Sequence, residues 1–170
     1  MLNKKVEKAL NDQIKVESES SQAYLAMASW AERSGYAGTS AFLYKHSDEE
    51  RLHMLKLIKF VNDRGGKAIV PALAQQPTEY KNLQQIFKLL LEHETHVTAE
   101  INNVVHVCRT EKDYTTDNFM QWYLTEQIEE ETLASAINDK LRLAGDDKGA
   151  IYLFDSELAK AKAAPKTEAA

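Results

Sequence analysis

Glu49-Glu50-Arg51-Leu52-His53 places two carboxylates and an imidazole inside a segment whose surrounding pattern is apolar. On a helix, residues i and i+3 stand one above the other, so Glu50 and His53 can offer an oxygen and a nitrogen to one cation. A single Glu-x-x-His also occurs by chance on solvated helices. Its weight here depends on whether other segments bring carboxylates to the same level.

Working outward, prolines stand only at 71, 77 and 165 and glycines only at 35, 38, 65, 66, 145 and 149, which leaves long uninterrupted segments between them. With successive residues ~100° apart, each long segment shows one apolar stripe. The helix holding the opening stretch takes Thr39 or Ser40 as its N-cap and runs to about Arg64, where Gly65 and Gly66 stop it. Its stripe carries Phe42, His46, Glu49, Glu50, His53, Leu57 and Phe60. Before it, a first helix from about Asn3 to Arg33 stripes as Val6, Leu10, Gln13, Ile14, Glu17, Ser21, Tyr24, Ala28 and Ala31. A third, from about Lys81 to Arg109, stripes as Leu83, Phe87, Leu90, Glu94, Val97, Ile101, Val105 and Cys108. A fourth, from about Tyr114 to Ala144, stripes as Phe119, Tyr123, Glu126, Glu130, Leu133, Ile137 and Leu141. After Gly145 a short amphipathic helix with Ile151, Phe154 and Leu158 is expected, so the domain spans 1–161 and a Lys/Ala-rich tail at 162–170 is expected to be mobile.

The links set the topology of this all-α chain. Short turns at Ser34 to Gly38 and Thr110 to Asp113 make two antiparallel hairpins. The 14 residues from Lys67 to Tyr80 reach roughly 45 Å when extended, about the length of a 27-residue helix. The chain is therefore expected to be a four-helix bundle with one long crossover connection and a short fifth C-terminal helix.

In such a bundle the middle of every helix lies at one level, and Glu17, Glu50 with His53, Glu94, and Gln127 with Glu130 all sit near their helix middles. At least four carboxylates and one imidazole are expected to converge, with Glu49 and Glu126 close by. Lys56 on a flank is the only cationic side chain near that level of the stripes. Buried carboxylates without partners cost several kcal/mol each, and a bound cation resolves the repulsion. A carboxylate-rich set with one imidazole and no thiolate suits iron(II) or manganese(II), and five carboxylates leave room for two bridged ions. Two adjacent iron(II) ions can give two electrons to dioxygen. Other polar residues read as structural: Glu92 and Glu100 as a solvated face, and His93, His96 and His106 as surface or flank. His46 reads as a satisfied or cavity-facing histidine rather than a ligand, and Phe42, Phe60, Phe87 and Phe119 as core. The competing reading of the whole set is a non-catalytic helical assembly, or a storage shell, whose buried glutamates only fix register.

Composition agrees with a metal-handling globular chain. With 170 residues, 44% of them hydrophobic, there is enough apolar material for one sizeable core. The net charge of −5 argues against nucleic acid as the main partner. No run of 18 apolar residues offers a membrane span. One cysteine and no apolar leader pattern lead to the expectation of a reducing, cytoplasmic location.

Taken together, Glu17 with Tyr24, the Glu49 to His53 run, Glu94, and Gln-Trp-Tyr-Leu-Thr-Glu-Gln-Ile-Glu-Glu-Glu at 121–131 resemble the bacterial non-haem ferritins over nearly the whole chain. The resemblance implies a ferroxidase that oxidises Fe(II) with dioxygen and stores ferric oxyhydroxide mineral inside a homo-oligomeric 24-subunit shell. It implies a first iron on Glu17, Glu50 and His53 with Gln127 nearby, and a second on Glu94 and Glu130 with Glu50 bridging. Glu49, Glu126 and Glu129, sharing Glu130, would form a third, more exposed site, and Tyr24 would be a hydrogen-bonding partner and electron donor. Haem is not expected: the haem-carrying cousins have a Met directly after the bridging glutamate, where this chain has Arg51, and a second Glu-x-x-His where it has Gln127-x-x-Glu130. Rubrerythrin-like proteins need Cys-x-x-Cys pairs, and the small DNA-protecting ferritins lack the fifth helix.

Overall fold

The apolar stripes dictate five helices, and the computed structural model, which describes residues 2–160, has them as α1 (Lys4–Arg33), α2 (Ala37–Asp63), α3 (Leu83–Thr110), α4 (Tyr114–Ala144) and α5 (Lys148–Lys160). No strand occurs among the described residues. The tail expected to be mobile at 162–170 lies outside them. No described helix is long and apolar enough to cross a membrane.

Three helices are capped by their own flanking residue. Asn3, Asn82 and Asp113 accept the backbone N–H of Lys5, Gln85 and Thr116 at 2.8, 2.9 and 3.1 Å. The α2 cap differs from the sequence expectation: the helix starts at Ala37, and Thr39 and Ser40 lie inside its first turn, both buried. The capping carboxylate comes from α5. Asp155 accepts Gly38 N–H at 3.0 Å and Thr39 N–H at 2.7 Å, and also the Thr39 hydroxyl at 2.7 Å. A carboxylate there satisfies orphan donors and meets the positive end of the helix dipole. A Cβ at Gly38 would fall 1.8 Å from the Asp155 carbonyl oxygen, so this close approach requires glycine. Phe154 is buried against Phe87 and closes this end of the bundle.

The long connection runs along α1. It leaves α2 beside Asn11, which donates to the Lys67 carbonyl at 3.0 Å and accepts Ile69 N–H at 2.7 Å. It ends beside the other end of α1, where Arg33 pairs with Glu79 at 2.6 Å and Tyr80 meets Trp30 edge to face. That span of α1, Asn11 to Arg33, is about 33 Å at 1.5 Å per residue, so the crossover traverses most of the bundle.

The core is divided in two. One apolar cluster gathers Met27, Trp30, Leu43, Phe87, Leu90, Ile137, Leu141 and Phe154. The other gathers Val6, Leu10, Ile14, Leu57, Val61, Ile101, Met120 and Tyr123. Between them in chain position on every long helix fall buried polar residues, Glu17, His46, Glu50, His53, Glu94, Gln127 and Glu130, with Gln13 beside Ile14 at the edge of the second cluster. Four expected core positions differ. Leu133 is 41% exposed and Ala134 faces inward instead, because the buried α4 positions Tyr123, Gln127, Glu130, Ala134, Ile137 and Leu141 follow a 4-3-4-3-4 spacing that skips it. Phe42, Phe60 and Phe119 pack against the core while remaining partly exposed, and only Phe87 of that set is fully buried.

Candidate metal centre

Four helices contribute to the polar layer because each places a polar residue where its stripe crosses the middle of the bundle. From α1 comes Glu17, 1% exposed, and from α2 come Glu50 and His53, both buried. His53 Nδ1 lies 3.2 Å from Glu50 Oε2 and 4.0 Å from Glu17 Oε2. One ligand atom from each of these three residues fits within 4.8 Å of the others, which is the spread a single bound cation needs. Glu17 Oε2 has no hydrogen-bond partner. Burial, reinforced by the Glu50 charge, holds the Glu17 carboxyl well above the ordinary carboxylate range, with His53 pulling the other way.

Around this group the chain builds supports. Tyr123 donates its hydroxyl to the His53 carbonyl at 2.8 Å. The His53 ring meets Trp122 edge to face, with centroids 5.3 Å apart, and Lys56 Nζ sits 3.3 Å over the Trp122 ring. A cation over an indole holds the ring plane in place.

Glu94 from α3 is also 1% exposed. Its Oε1 accepts the Tyr24 hydroxyl at 2.5 Å, and its Oε2 accepts Gln127 Nε2 at 2.8 Å. Burial pushes its carboxyl up to about 7, against the lowering effect of the Tyr24 and Gln127 bonds and with the help of the Glu130 and Glu17 charges. Burial and the Glu94 charge raise the Tyr24 phenol well above its usual value, so it stays protonated and donates.

A second group forms at Glu49 and Glu130, two of the residues that the resemblance gives to a third site, and is joined by His46, which the sequence reading takes for a satisfied or cavity-facing histidine. His46 is buried, and its Nδ1 lies 3.0 Å from the Phe42 carbonyl, which fixes the Nδ1–H tautomer and turns Nε2 to the site. Nε2 is 3.6 Å from Glu130 Oε2, and Nδ1 is 3.8 Å from Glu49 Oε2. His46, Glu49 and Glu130 each offer an atom within 4.8 Å of the others. Burial opposes the His46 charge, but Glu130 and Glu49 outweigh it and hold the imidazole above its ordinary value. Glu49 also meets Lys45 at 3.3 Å. Glu126 is half-buried and Glu129 exposed, and neither belongs to either group. His93, placed on a flank by the sequence, packs its ring against Tyr24 at 5.9 Å, while His96 and His106 are exposed.

His46 and Gln13 were the two residues the sequence left without a role at the site. The signal for Gln13 was present, since it lies four residues before Glu17 on the same stripe. The signal for His46 was its place four residues before Glu50.

The donor set fits a hard or borderline divalent cation: carboxylates, imidazoles, no thiolate and no buried cation among them. Residues 7–144 match the family model described as a ferritin-like domain. The chain belongs to the ferritin family. A probable bacterial non-heme ferritin-like protein of Haemophilus influenzae is 42% identical over 158 residues, covering 93% of this chain and 96% of that protein. The bacterial non-heme ferritin of Campylobacter jejuni is 40% identical over 155 residues, covering 91% and 93%. Among solved structures, an open pore ferritin from Archaeoglobus fulgidus superposes with a TM-score of 0.92 at 39% identity, covering 95% of this chain and 100% of that one. This ferritin chain thus shares fold and length with its relatives, and its buried carboxylate–histidine layer lies inside the matched region.

Proposed function

We propose that this ferritin is an iron-storage protein that oxidises iron(II) with dioxygen at the mid-bundle centre and keeps the product as a ferric oxyhydroxide mineral. The observation that carries the proposal is the pair of ligand groups, Glu17–Glu50–His53 and His46–Glu49–Glu130, in one buried polar layer with Glu94. Iron(II) is the substrate. Two ions held side by side give one electron each to dioxygen, which takes up two protons to reach the peroxide level, and the two iron(III) ions formed are favoured by the anionic oxygens around them. Glu17, Glu50 and His53 hold the first ion. Glu94 and Glu130 hold the second, with Glu50 between them and Gln127 steadying Glu94. Tyr24, bonded to Glu94, orients that carboxylate. A third ion is bound by Glu49 and Glu130, which His46 already joins, with Glu126 and Glu129 at its outer edge. The reaction needs no haem.

Stopped-flow mixing of the metal-free protein with two iron(II) per chain in aerated buffer tests the proposal. A prompt absorbance transient, faster than iron(II) alone in the same buffer, is expected. Oxidation at the buffer rate sinks the ferroxidase reading.

The shell of 24 copies belongs to the same proposal. Leu25, Ile69, Val70 and Leu73 expose apolar surface on α1 and the crossover, and Tyr152 and Leu153 on α5, surface that contact with further copies would cover. At 13 residues α5 is too short to be stable alone and depends on the α2 start it caps. Truncation after Ala144 is expected to leave a folded bundle that forms the shell poorly or leaks mineral. Size-exclusion with light scattering reads this out. A truncated chain that still runs as an intact shell and retains its mineral would show α5 dispensable for assembly.

A further inference from the structure

Every buried side-chain nitrogen or oxygen without a hydrogen-bond partner among the described residues falls on one stripe of α1: Gln13 Oε1, Glu17 Oε2 and Ser20 Oγ. Residues i, i+4 and i+7 stand above one another on a helix, so the unmet polar atoms form a single line beside the metal centre. A buried polar atom without a partner is costly. One in the same line as a ligand invites a role.

Gln13 is 1% exposed, and its Nε2 donates to Glu17 Oε1 at 2.8 Å. When Glu17 gives up its proton to bind a cation, both of its oxygens become acceptors, and the amide orientation in the structure is the one that donates to it. The bond occupies one oxygen of Glu17. The other, Oε2, is the one that lies 4.0 Å from His53 Nδ1.

We propose that Gln13 is a positioning residue that restricts Glu17 to a single metal-ligating oxygen, Oε2. The inference rests on the metal-binding reading of the Glu17–Glu50–His53 group. A carboxylate with both oxygens available can chelate one ion through both. An amide hydrogen bond to Oε1 occupies one of its lone pairs and turns the carboxylate so that ligation through Oε2 alone is favoured, which keeps a coordination position on the ion open for water or dioxygen. Outer hydrogen bonds of this kind orient ligands and set their donor strength.

Cobalt(II) is the probe, because its visible d–d absorption is strong at low coordination number and weak at six. The metal-free full chain is titrated with cobalt(II), and the first tight equivalent is compared in wild type, Gln13→Met and Gln13→Asn. Methionine keeps the length and apolar stem without the donor, and asparagine keeps the amide but draws it back by one methylene. Both variants are expected to retain the tight equivalent, with molar absorption reduced about threefold as Glu17 becomes bidentate. A packing defect alone would lower the melting temperature and leave the spectrum of the bound ion unchanged. A folded variant of either kind with the wild-type spectrum overturns the proposal. Should wild type show no tight cobalt(II) equivalent that His53→Ala abolishes, the metal reading itself fails, a different result from equal spectra.

Discussion

His53→Ala is expected to slow the prompt phase of iron(II) oxidation by on the order of 10²-fold, because it removes the only imidazole from the Glu17–Glu50–His53 group. The side chain's Nδ1 lies 3.2 Å from Glu50 Oε2, and the ring is the one nitrogen ligand among carboxylate oxygens. Without it the group also loses the influence that lowers the Glu17 proton affinity, since Glu17 is raised by burial and by Glu50 and pulled down by His53. The carboxylates that remain hold their protons more tightly and compete less well for iron. The fold is not at stake, because Tyr123 bonds the His53 carbonyl, which alanine keeps. What alanine leaves is a cavity beneath the Trp122 ring, which costs stability at the bundle level but does not disorder the helix. Glu92→Gln is the matched control. Glu92 is exposed, on the solvated face of α3 and outside both ligand groups, so its prompt phase should change by less than about threefold. Equal rates for wild type and His53→Ala would place the oxidation elsewhere, on mineral or in solution.

The contrast between those two residues shows what a one-dimensional pattern can carry. Periodicity assigns a face and chain position assigns a depth, and these two coordinates were enough to bring Glu17, Glu50, His53, Glu94, Gln127 and Glu130 into one layer. The long crossover was legible from its length, since only a traverse of the bundle needs so much chain between two helices. What periodicity does not carry is the direction in which a side chain points along its own stripe. His46 and Gln13 have the same face and nearly the same depth as the ligands. Their roles depend on ring and amide orientations set by the Phe42 carbonyl and the Glu17 carboxylate. The α2 cap was illegible for another reason. Thr39 and Ser40 look like caps locally, but the carboxylate that caps the helix, Asp155, lies 116 residues later in the chain than Thr39, and nothing local announces it. Leu133 was misplaced because a stripe drawn at one fixed angle per residue drifts over a helix of 31 residues.

Glu94 sets the largest pH effect expected of the metal-free protein. Its carboxyl is pushed from an ordinary 4.5 up to about 7, with burial the main cause. The folded chain therefore holds a proton that the unfolded chain releases, and the sign follows: this group's contribution favours folding most below about 4.5, and that contribution is lost as pH rises through about 7. The difference amounts to on the order of 3 kcal/mol for one group. Glu17 is raised as well and acts in the same direction. Metal reverses the dependence, because a cation needs the ionised carboxylates and displaces their protons, so stabilisation by bound zinc(II) should grow as pH rises from 6 to 8. Glu94→Gln isolates the effect. A neutral amide still accepts the Tyr24 hydroxyl through its oxygen, while its NH2 group faces Gln127 Nε2 and obliges that amide to turn. Thermal unfolding of the metal-free variant at pH 8 is expected to match or exceed wild type, with a flatter dependence between pH 5 and 8 and little gain on adding zinc(II). If Glu94→Gln instead lowers metal-free stability at pH 8 by several kcal/mol, Glu94 is a structural hydrogen-bond acceptor for Tyr24 and Gln127. In that case its burial is explained without a cation.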